Sequence, residues 1–268
     1  MNAIYLDCFA GISGNMLLGA FLDGNVPVEY LKQELSKLNI DNEFSLKISY
    51  VQKQGIRATY VDVDVIQHSH CHDHHGHDNG HHHHSHAQQR NLQDILQLIH
   101  SSNLEDNVKT ISEQVFRSLA AAEAKVHGKL IDEVHFHEVG AVDSIVDIVG
   151  TAICLSYLDI KNIYVSNLNV GSGFINCAHG VMPVPAPATA ELLCGLTSYS
   201  QHAQRELVTP TGAAVVAALA NGQSADLPSN FKYKKVSYGA GTWDLTIPNV
   251  LRLYLGEISA QQMQKKNF

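Results

Sequence analysis

The chain has 268 residues, 45% of them hydrophobic and 16% charged, and 18 basic against 26 acidic side chains give a net charge of −8. That length supports a sizeable core in one large domain or two modest ones. The acidic balance, with no Lys/Arg cluster and no basic strand interleaved with aromatics, argues against nucleic acid as a partner. Five scattered cysteines (Cys8, Cys71, Cys154, Cys177, Cys194) form no CxxC pair, which excludes a disulfide framework and a zinc ribbon. No basic leader precedes the first strand and no apolar run is long enough to span a bilayer, so a cytoplasmic protein without a membrane partner is expected.

Residues 3–9 read as an apolar strand carrying Asp7. A glycine turn, Ala10-Gly11-Ile12-Ser13-Gly14-Asn15, follows and leads into the helical run Leu17–Leu22. A strand, a tight turn and a helix start place free amides and the positive end of a helix dipole at Ser13, Gly14 and Asn15, a geometry that accepts anions. The stretch is neither GxGxxG nor a Walker loop, so a plain turn capped by Ser13 is the competing reading. Pro27–Leu38 is expected to be a helix opened by proline, with Val28, Leu31, Leu35 and Leu38 on one face. Phe44, Leu46, Ile48 and Tyr50 alternate as a strand, and Val61, Val63 and Val65 alternate with Tyr60, Asp62 and Asp64 in a second. The turn at Gln54-Gly55 joins them as a hairpin.

Residues 68–86 contain 11 of the chain's 17 histidines and almost nothing apolar, a composition that predicts a disordered loop. Neutral imidazoles suit nickel, zinc and copper. His70, His72, His74, His75, His77, His81, His82, His83, His84 and His86 are therefore expected to gather metal without forming the chemical site. Helices follow at Asn91–Ser101 and about Leu104–Val126. The second ends with Glu123 and His127 one turn apart and Gly128 as C-cap. That pair reads either as two metal ligands or as an imidazolium favoured by a helix C-terminus.

The stretch richest in chemistry is His135–Asp147. His135 and His137 alternate as in an extended chain, Glu138 follows, and Asp143 and Asp147 recur at helical spacing opposite Val142, Ile145, Val146 and Val149. The expectation is a strand end delivering two imidazoles into a helix with a carboxylate stripe. Asp143 alone fits a first-turn acid that complements the helix dipole. Asp147 lies deeper, among apolar residues, where an ionisable group marks a site.

After that helix, Ile163–Val170 is β-rich. Three alternating prolines (Pro183, Pro185, Pro187) behind Cys177-Ala178-His179-Gly180 predict a stiff extended segment that stays out of sheets, as a pocket wall or a linker. A helix restarts at Ala188–Cys194. Another runs Ala213–Leu219, with Thr209 or Thr211 as cap and its start at Thr209–Gly212 as a second anion-receptive turn. Pro248–Glu257 reads as a strand, and the tail 258–268 is polar. Strands alternating with helices give a mixed α/β protein, with an α+β arrangement as the alternative. A boundary near 159–163 fits the chain's length without a marked shift in composition.

Taken together and in this order, these segments resemble the LarC nickel insertion proteins of nickel-pincer cofactor synthesis. The segments are YLDCFAGISGNMLLGA at 5–20, the histidine-rich insert, AEAKVHG at 122–128 and EVHFHEVGAVDSIVDIVG at 133–150. They continue with CAHGVMPVPAPATAELL at 177–193, ELVTPTGAA at 206–214, YGAGTWD at 238–244 and PNVLRLYLGE at 248–257.

The resemblance implies a cyclometallase that inserts Ni²⁺ into pyridinium-3,5-bisthiocarboxylic acid mononucleotide, using CTP with Mn²⁺ or Mg²⁺, and supplies the cofactor of lactate racemase. It also implies that residues 1–257 form the family's N-terminal core. The C-terminal portion credited with CTP binding is expected to be absent from this chain and carried on a separate or longer one. Such chemistry needs metal ligands, a proton acceptor and anion-binding turns. On the residues here, His135, His137, Glu138, Asp143 and His179 are the candidates for catalysis. Glu123, His127, Asp147 and the same two histidines are candidates for holding metal; Asp7, Ser13, Gly14, Asn15, Thr209, Thr211 and Gly212 are candidates for binding the substrate, its anionic oxygens at the turn Ser13–Asn15 and the helix start Thr209–Gly212. A nickel store without catalysis and a phosphate-ester hydrolase built on Asp7 and the glycine turn are the competing classes.

Overall fold

A computed structural model describes residues 1–66, 90–134, 136, 141–177 and 180–259. The histidine-rich insert, His135, His137, Glu138, His179 and the polar tail beyond Ser259 lie outside the described residues. In chain order the elements are β1 (Asn2–Asp7), α1 (Gly14–Asp23), α2 (Val28–Ser36), β2 (Phe44–Lys53), β3 (Ile56–Val65), α3 (Leu92–Ser101), α4 (Asp106–His127) and α5 (Val142–Tyr157). They continue with β4 (Asn162–Val165), β5 (Leu168–Asn169), β6 (Phe174–Cys177), β7 (Gly180–Pro183), α6 (Pro187–Leu192), β8 (Ser198–Tyr199), α7 (Pro210–Leu219), β9 (Gly222–Gln223), β10 (Phe231–Ala240) and β11 (Val250–Ile258).

The mixed α/β expectation holds. A seven-stranded sheet runs β2-β3-β10-β11-β1-β4-β9, with β1 antiparallel to β11 and parallel to β4. Because β4 pairs directly with β1, residues 159–163 do not separate two sheets.

α1 lies between this sheet and α5, and nearly its whole surface is buried, from Met16 through Phe21. Two glycines permit that closeness. A Cβ on Gly239 would stand 1.8 Å from the Met16 carbonyl oxygen, and one on Gly19 would stand 2.3 Å from that of Thr59. Side chains larger than hydrogen at these points would push helix and sheet apart, and with them the apolar contacts worth about 1.5–3 kcal/mol per buried Leu or Phe. α4 packs on α5, α6 and α7 to extend the helical layer, and Phe116, Leu119 and Ile145 sit in one core with α1. The opposite face of the sheet carries a smaller cluster, with Tyr5 edge-on to Tyr254 at 6.0 Å.

Local signals decide several boundaries. Gln54 and Gly55 both take positive φ (47° and 85°), as the tight turn of a right-twisted hairpin requires. Gly128 ends α4 in the left-handed conformation at φ 61°. Asn91 opens α3 with a reciprocal cap. The Asp94 amide donates to Asn91 Oδ1 at 3.0 Å and the Asn91 amide donates to the Asp94 carboxylate at 3.1 Å. Replacing Asn91 with alanine should lower stability by about 1 kcal/mol without touching the site, read as a drop in the denaturant midpoint at unchanged slope.

The strand end expected at His135 and His137 lies outside the described residues. The residues leading to it form a 3-10 turn at Ile131–Glu133, and Val134 and Phe136 are buried, at 2% and 1% exposure. Two expectations are corrected. The proline segment does enter a sheet: Gly180–Pro183 pairs with Phe174–Cys177 as a two-stranded ribbon, and Pro183 sits at its end opposite Phe174, where no further ladder is interrupted. Pro27 caps α2 from outside the helix, which begins at Val28.

Candidate functional site

The Ala10–Asn15 turn and the segment leading into α7 are laced together. The Ile12 amide donates to the Leu207 carbonyl at 2.9 Å, and the Thr209 amide donates to the Ile12 carbonyl at 3.1 Å. Gly11, at φ 84°, and Gly212 make room for this. A Cβ on the first would lie 1.9 Å from the Leu207 oxygen and one on the second 2.3 Å from the Ile12 oxygen. The lacing sets the starts of α1 and α7 side by side. Ser13 Oγ accepts from the Met16 amide and its hydroxyl donates to Asn15 Oδ1 at 2.5 Å, while Thr209 Oγ1 accepts from the Gly212 amide at 3.3 Å. Thr209, and not Thr211, is therefore the cap.

α5 brings a third helix start to the same place. Asp143 sits in its first turn, where the Ser144 amide donates to Asp143 Oδ1 at 2.8 Å. One turn on, Asp147 presses against α1 so closely that a Cβ on Gly14 would stand 2.2 Å from Asp147 Oδ2. Together the three helix starts enclose a cavity of about 290 Å³ whose wall includes Gly14, Asn15, Asp143, Ser144, Asp147 and Thr211, with Asp62 of β3 opposite.

One carboxylate oxygen there is unspent among the described residues. Asp147 Oδ1 has neither solvent contact nor a hydrogen-bond partner among the described residues. Burial raises the Asp143 carboxyl above the usual carboxylate range. Burial raises Asp147 well above it, and the neighbouring Asp143 charge adds to the effect. Two neighbouring acids that burial keeps from ionising readily suit a task of taking up a proton or a cation. Positive dipole ends at three helices offset part of the cost when they do ionise.

A wider cleft of about 550 Å³ adjoins this cavity across Ser13, Asn15, Thr209 and Thr242, which line both. Arg205, Trp243 and Asn249 line this cleft and not the smaller cavity.

The structure thus gathers Ser13, Gly14, Asn15, Asp143, Asp147, Thr209 and Thr211 around one space, with Gly212 as the close contact behind it. Asp7 is placed elsewhere. It stands opposite Arg252 in the sheet, Arg252 Nε donates to Asp7 Oδ2 at 3.0 Å, and Asp7 lines neither space. A strand acid with its own arginine is held in a structural ion pair. Glu123 and His127 are in contact with each other (Oε2 to Nε2, 3.4 Å) at the end of α4 and line neither space. Among the described residues no three His, Cys, Asp or Glu side chains stand close enough to hold a metal, and no helix is long and apolar enough to cross a membrane. Sequence reasoning missed Asp62, which alternates with the valines of β3, and Arg205, Trp243 and Asn249. Trp243 and Asn249 lie in the quoted segments 238–244 and 248–257, but only the packing of their loop against the one carrying Arg205 sets the three around one cleft.

A mixed α/β protein with an acidic pocket at three helix starts, adjoining a cleft lined by an arginine, has the makings of a binding protein for a small charged molecule. More narrowly, the chain belongs to the nickel insertion protein family, whose model matches residues 4–267. A protein of Clostridium kluyveri named pyridinium-3,5-bisthiocarboxylic acid mononucleotide nickel insertion protein is 51% identical over 257 residues, covering 96% of this chain and 62% of its own length. A protein of Clostridium acetobutylicum with the same name is 52% identical over 272 residues, covering 96% and 64%. A putative nickel insertion protein of Maridesulfovibrio salexigens is 53% identical over 270 residues, covering 97% and 64%. The chain therefore spans a little under two thirds of the length of the curated relatives it matches. No solved structure matches it.

Proposed function

We propose that this chain carries the metal-inserting centre for a nickel-pincer cofactor: Ni²⁺ enters pyridinium-3,5-bisthiocarboxylic acid mononucleotide and the product passes to lactate racemase. CTP, with Mg²⁺ or Mn²⁺, is used by the remaining C-terminal portion of family members, and the reaction is cytoplasmic. The single observation that carries this reading is the pair Asp143 and Asp147 set at three helix starts in a chain of the nickel insertion family.

The chemistry assigns a task to each part. Two thiocarboxylates ligate nickel through sulfur, the ring C4–H bond breaks as the nickel–carbon bond forms, and the proton released goes to a base on the protein. Overall, one Ni²⁺ replaces the ring proton. His135, His137, Glu138 and His179 are proposed as first holders of nickel or acceptors of that proton. Asp143 and Asp147 receive the metal or the proton at the pocket wall, since acids kept from ionising by burial have an affinity for either. The amides and hydroxyls at Ser13–Asn15 and Thr209–Gly212 hold anionic oxygens. Imidazole and carboxylate bind nickel and still release it, where a thiolate cage would retain it. Glu123 and His127 stand as a relay for metal at the end of α4, and the insert at 68–86 concentrates nickel from solution.

The test uses the purified chain together with the C-terminal portion of a family member, Ni²⁺, CTP, Mg²⁺ and the mononucleotide, and follows the nickel–pincer absorbance. Replacing His135 and His137 together by alanine should remove product formation while the far-UV circular dichroism stays unchanged. Deleting 68–86 should only raise the nickel concentration needed. Wild-type rates in the double variant would refute the assignment of these histidines.

A further inference from the structure

We propose that Arg205, laid on the face of Trp243, is the substrate's phosphate-binding residue, so that the mononucleotide lies with its phosphate in the wide cleft and its ring at the Asp143–Asp147 end. This rests on the function proposed above and adds to it a direction of binding.

Charge decides the direction. Among the described residues lining the two spaces, Arg205 is the only Lys or Arg; it lines the wide cleft together with Glu206, while Asp62, Asp143 and Asp147 line the smaller cavity. A phosphomonoester placed at the Asp62, Asp143 and Asp147 end would meet three carboxyl groups and no cation among the described residues. Placed at Arg205 it gains a bidentate, charge-assisted pair. The ring, where nickel must arrive and a proton must leave, then reaches the end that holds acids. The two spaces meet across Ser13, Asn15, Thr209 and Thr242, so a ribose can bridge them.

Arg205 is also held in readiness. Its Cζ lies 4.9 Å from the Trp243 ring centroid, and it makes no ion pair among the described residues, so its fork of donors is unspent. Its own backbone is fixed, since its carbonyl accepts from the Ser172 amide at 3.3 Å and abuts Gly171, where a Cβ would stand 1.9 Å away. Trp243 is fastened from below: its carbonyl accepts from Asn249 Nδ2 at 3.0 Å and from Lys53 Nζ at 3.1 Å, and Asn249 is only 2% exposed. An aromatic platform orders a guanidinium without neutralising it.

The experiment compares wild type with Arg205→Ala and Arg205→Lys, using the chain together with the C-terminal portion. It measures nickel insertion into the mononucleotide and into the nucleoside made by removing its phosphate. Trp243, the chain's only tryptophan, reports binding of either by fluorescence. Losing a charged hydrogen-bonding partner should raise KM and Kd for the mononucleotide roughly 10- to 100-fold and leave the nucleoside's nearly unchanged, so that the preference for the phosphorylated form collapses. Lysine should restore part of that preference. An Arg205→Ala protein that keeps the wild-type preference, or one that loses kcat at constant KM, overturns the proposal. Wild type that binds the mononucleotide without inserting nickel overturns the function while the fluorescence series still judges Arg205. Wild type that does not bind the mononucleotide overturns both.

Discussion

Replacing Asp147 with asparagine is expected to abolish nickel insertion and, at neutral pH, to make the ligand-free protein more stable. Asp147 Oδ1 has no hydrogen-bond partner among the described residues and no solvent contact, and burial together with the Asp143 charge holds the carboxyl well above its ordinary range. Folding therefore raises the pKa of this group. The stability it allows is fully present below the unfolded value, about 3.9, declines as pH rises through the folded value, and stays reduced above it. Asparagine keeps the shape and cannot ionise, so it removes this decline. Relief of an uncompensated buried group is worth on the order of 1–3 kcal/mol, and each kcal/mol moves Tm by about 2–4 °C in a domain of this size. The check is Tm against pH for the two proteins. The curves should converge in acid and separate toward neutrality, with asparagine above. A variant whose Tm runs below wild type at pH 7 would mean that the carboxylate is satisfied in the native state. Gain of stability with loss of function is the pattern of a residue kept for its chemistry.

Gly11→Ala should be the most damaging small substitution near the site. Gly11 has φ 84°, and its added Cβ would fall 1.9 Å from the Leu207 backbone oxygen, which cannot move without breaking the lacing of the turn to α7. The left-handed conformation costs an L-residue about 1–2 kcal/mol and overpacking typically about 1–3 kcal/mol, together roughly 2–5 kcal/mol. Gly55 supplies the control. It has φ 85° with nothing within 4 Å of its added Cβ, so Gly55→Ala carries the conformational cost alone. Denaturant titration of both variants separates the two effects. Equal losses would show that the contact with Leu207 yields easily.

Signals that act within a few residues were legible in the sequence. The Ser13 cap, the Gln54-Gly55 turn, the end of α4 at Gly128 and the carboxylate stripe of α5 each depend on spacing inside one element. Signals that depend on pairing across the chain were not. Phe231–Ala240 went unread as a strand, although its partner Val250–Ile258 was expected. Asp7 looked like a ligand because its arginine lies 245 residues away. At the site, sequence reasoning found the acids and the helix starts because each is encoded locally. It missed Asp62, Arg205 and Trp243 because only the packing of β3, the loop before α7 and the loop before β11 sets them around the same space.

The most direct test of the central claim is single-turnover nickel insertion with mononucleotide labelled with deuterium at ring C4, comparing the chain with its Asp143→Asn/Asp147→Asn variant, each supplied with the C-terminal portion of a family member, CTP and Mg²⁺. The wild-type chain should release deuterium in step with the rise of nickel–pincer absorbance, and the double variant should show neither. Deuterium release and absorbance at wild-type rates in the double variant, or from the C-terminal portion alone, would place the chemistry outside this pocket.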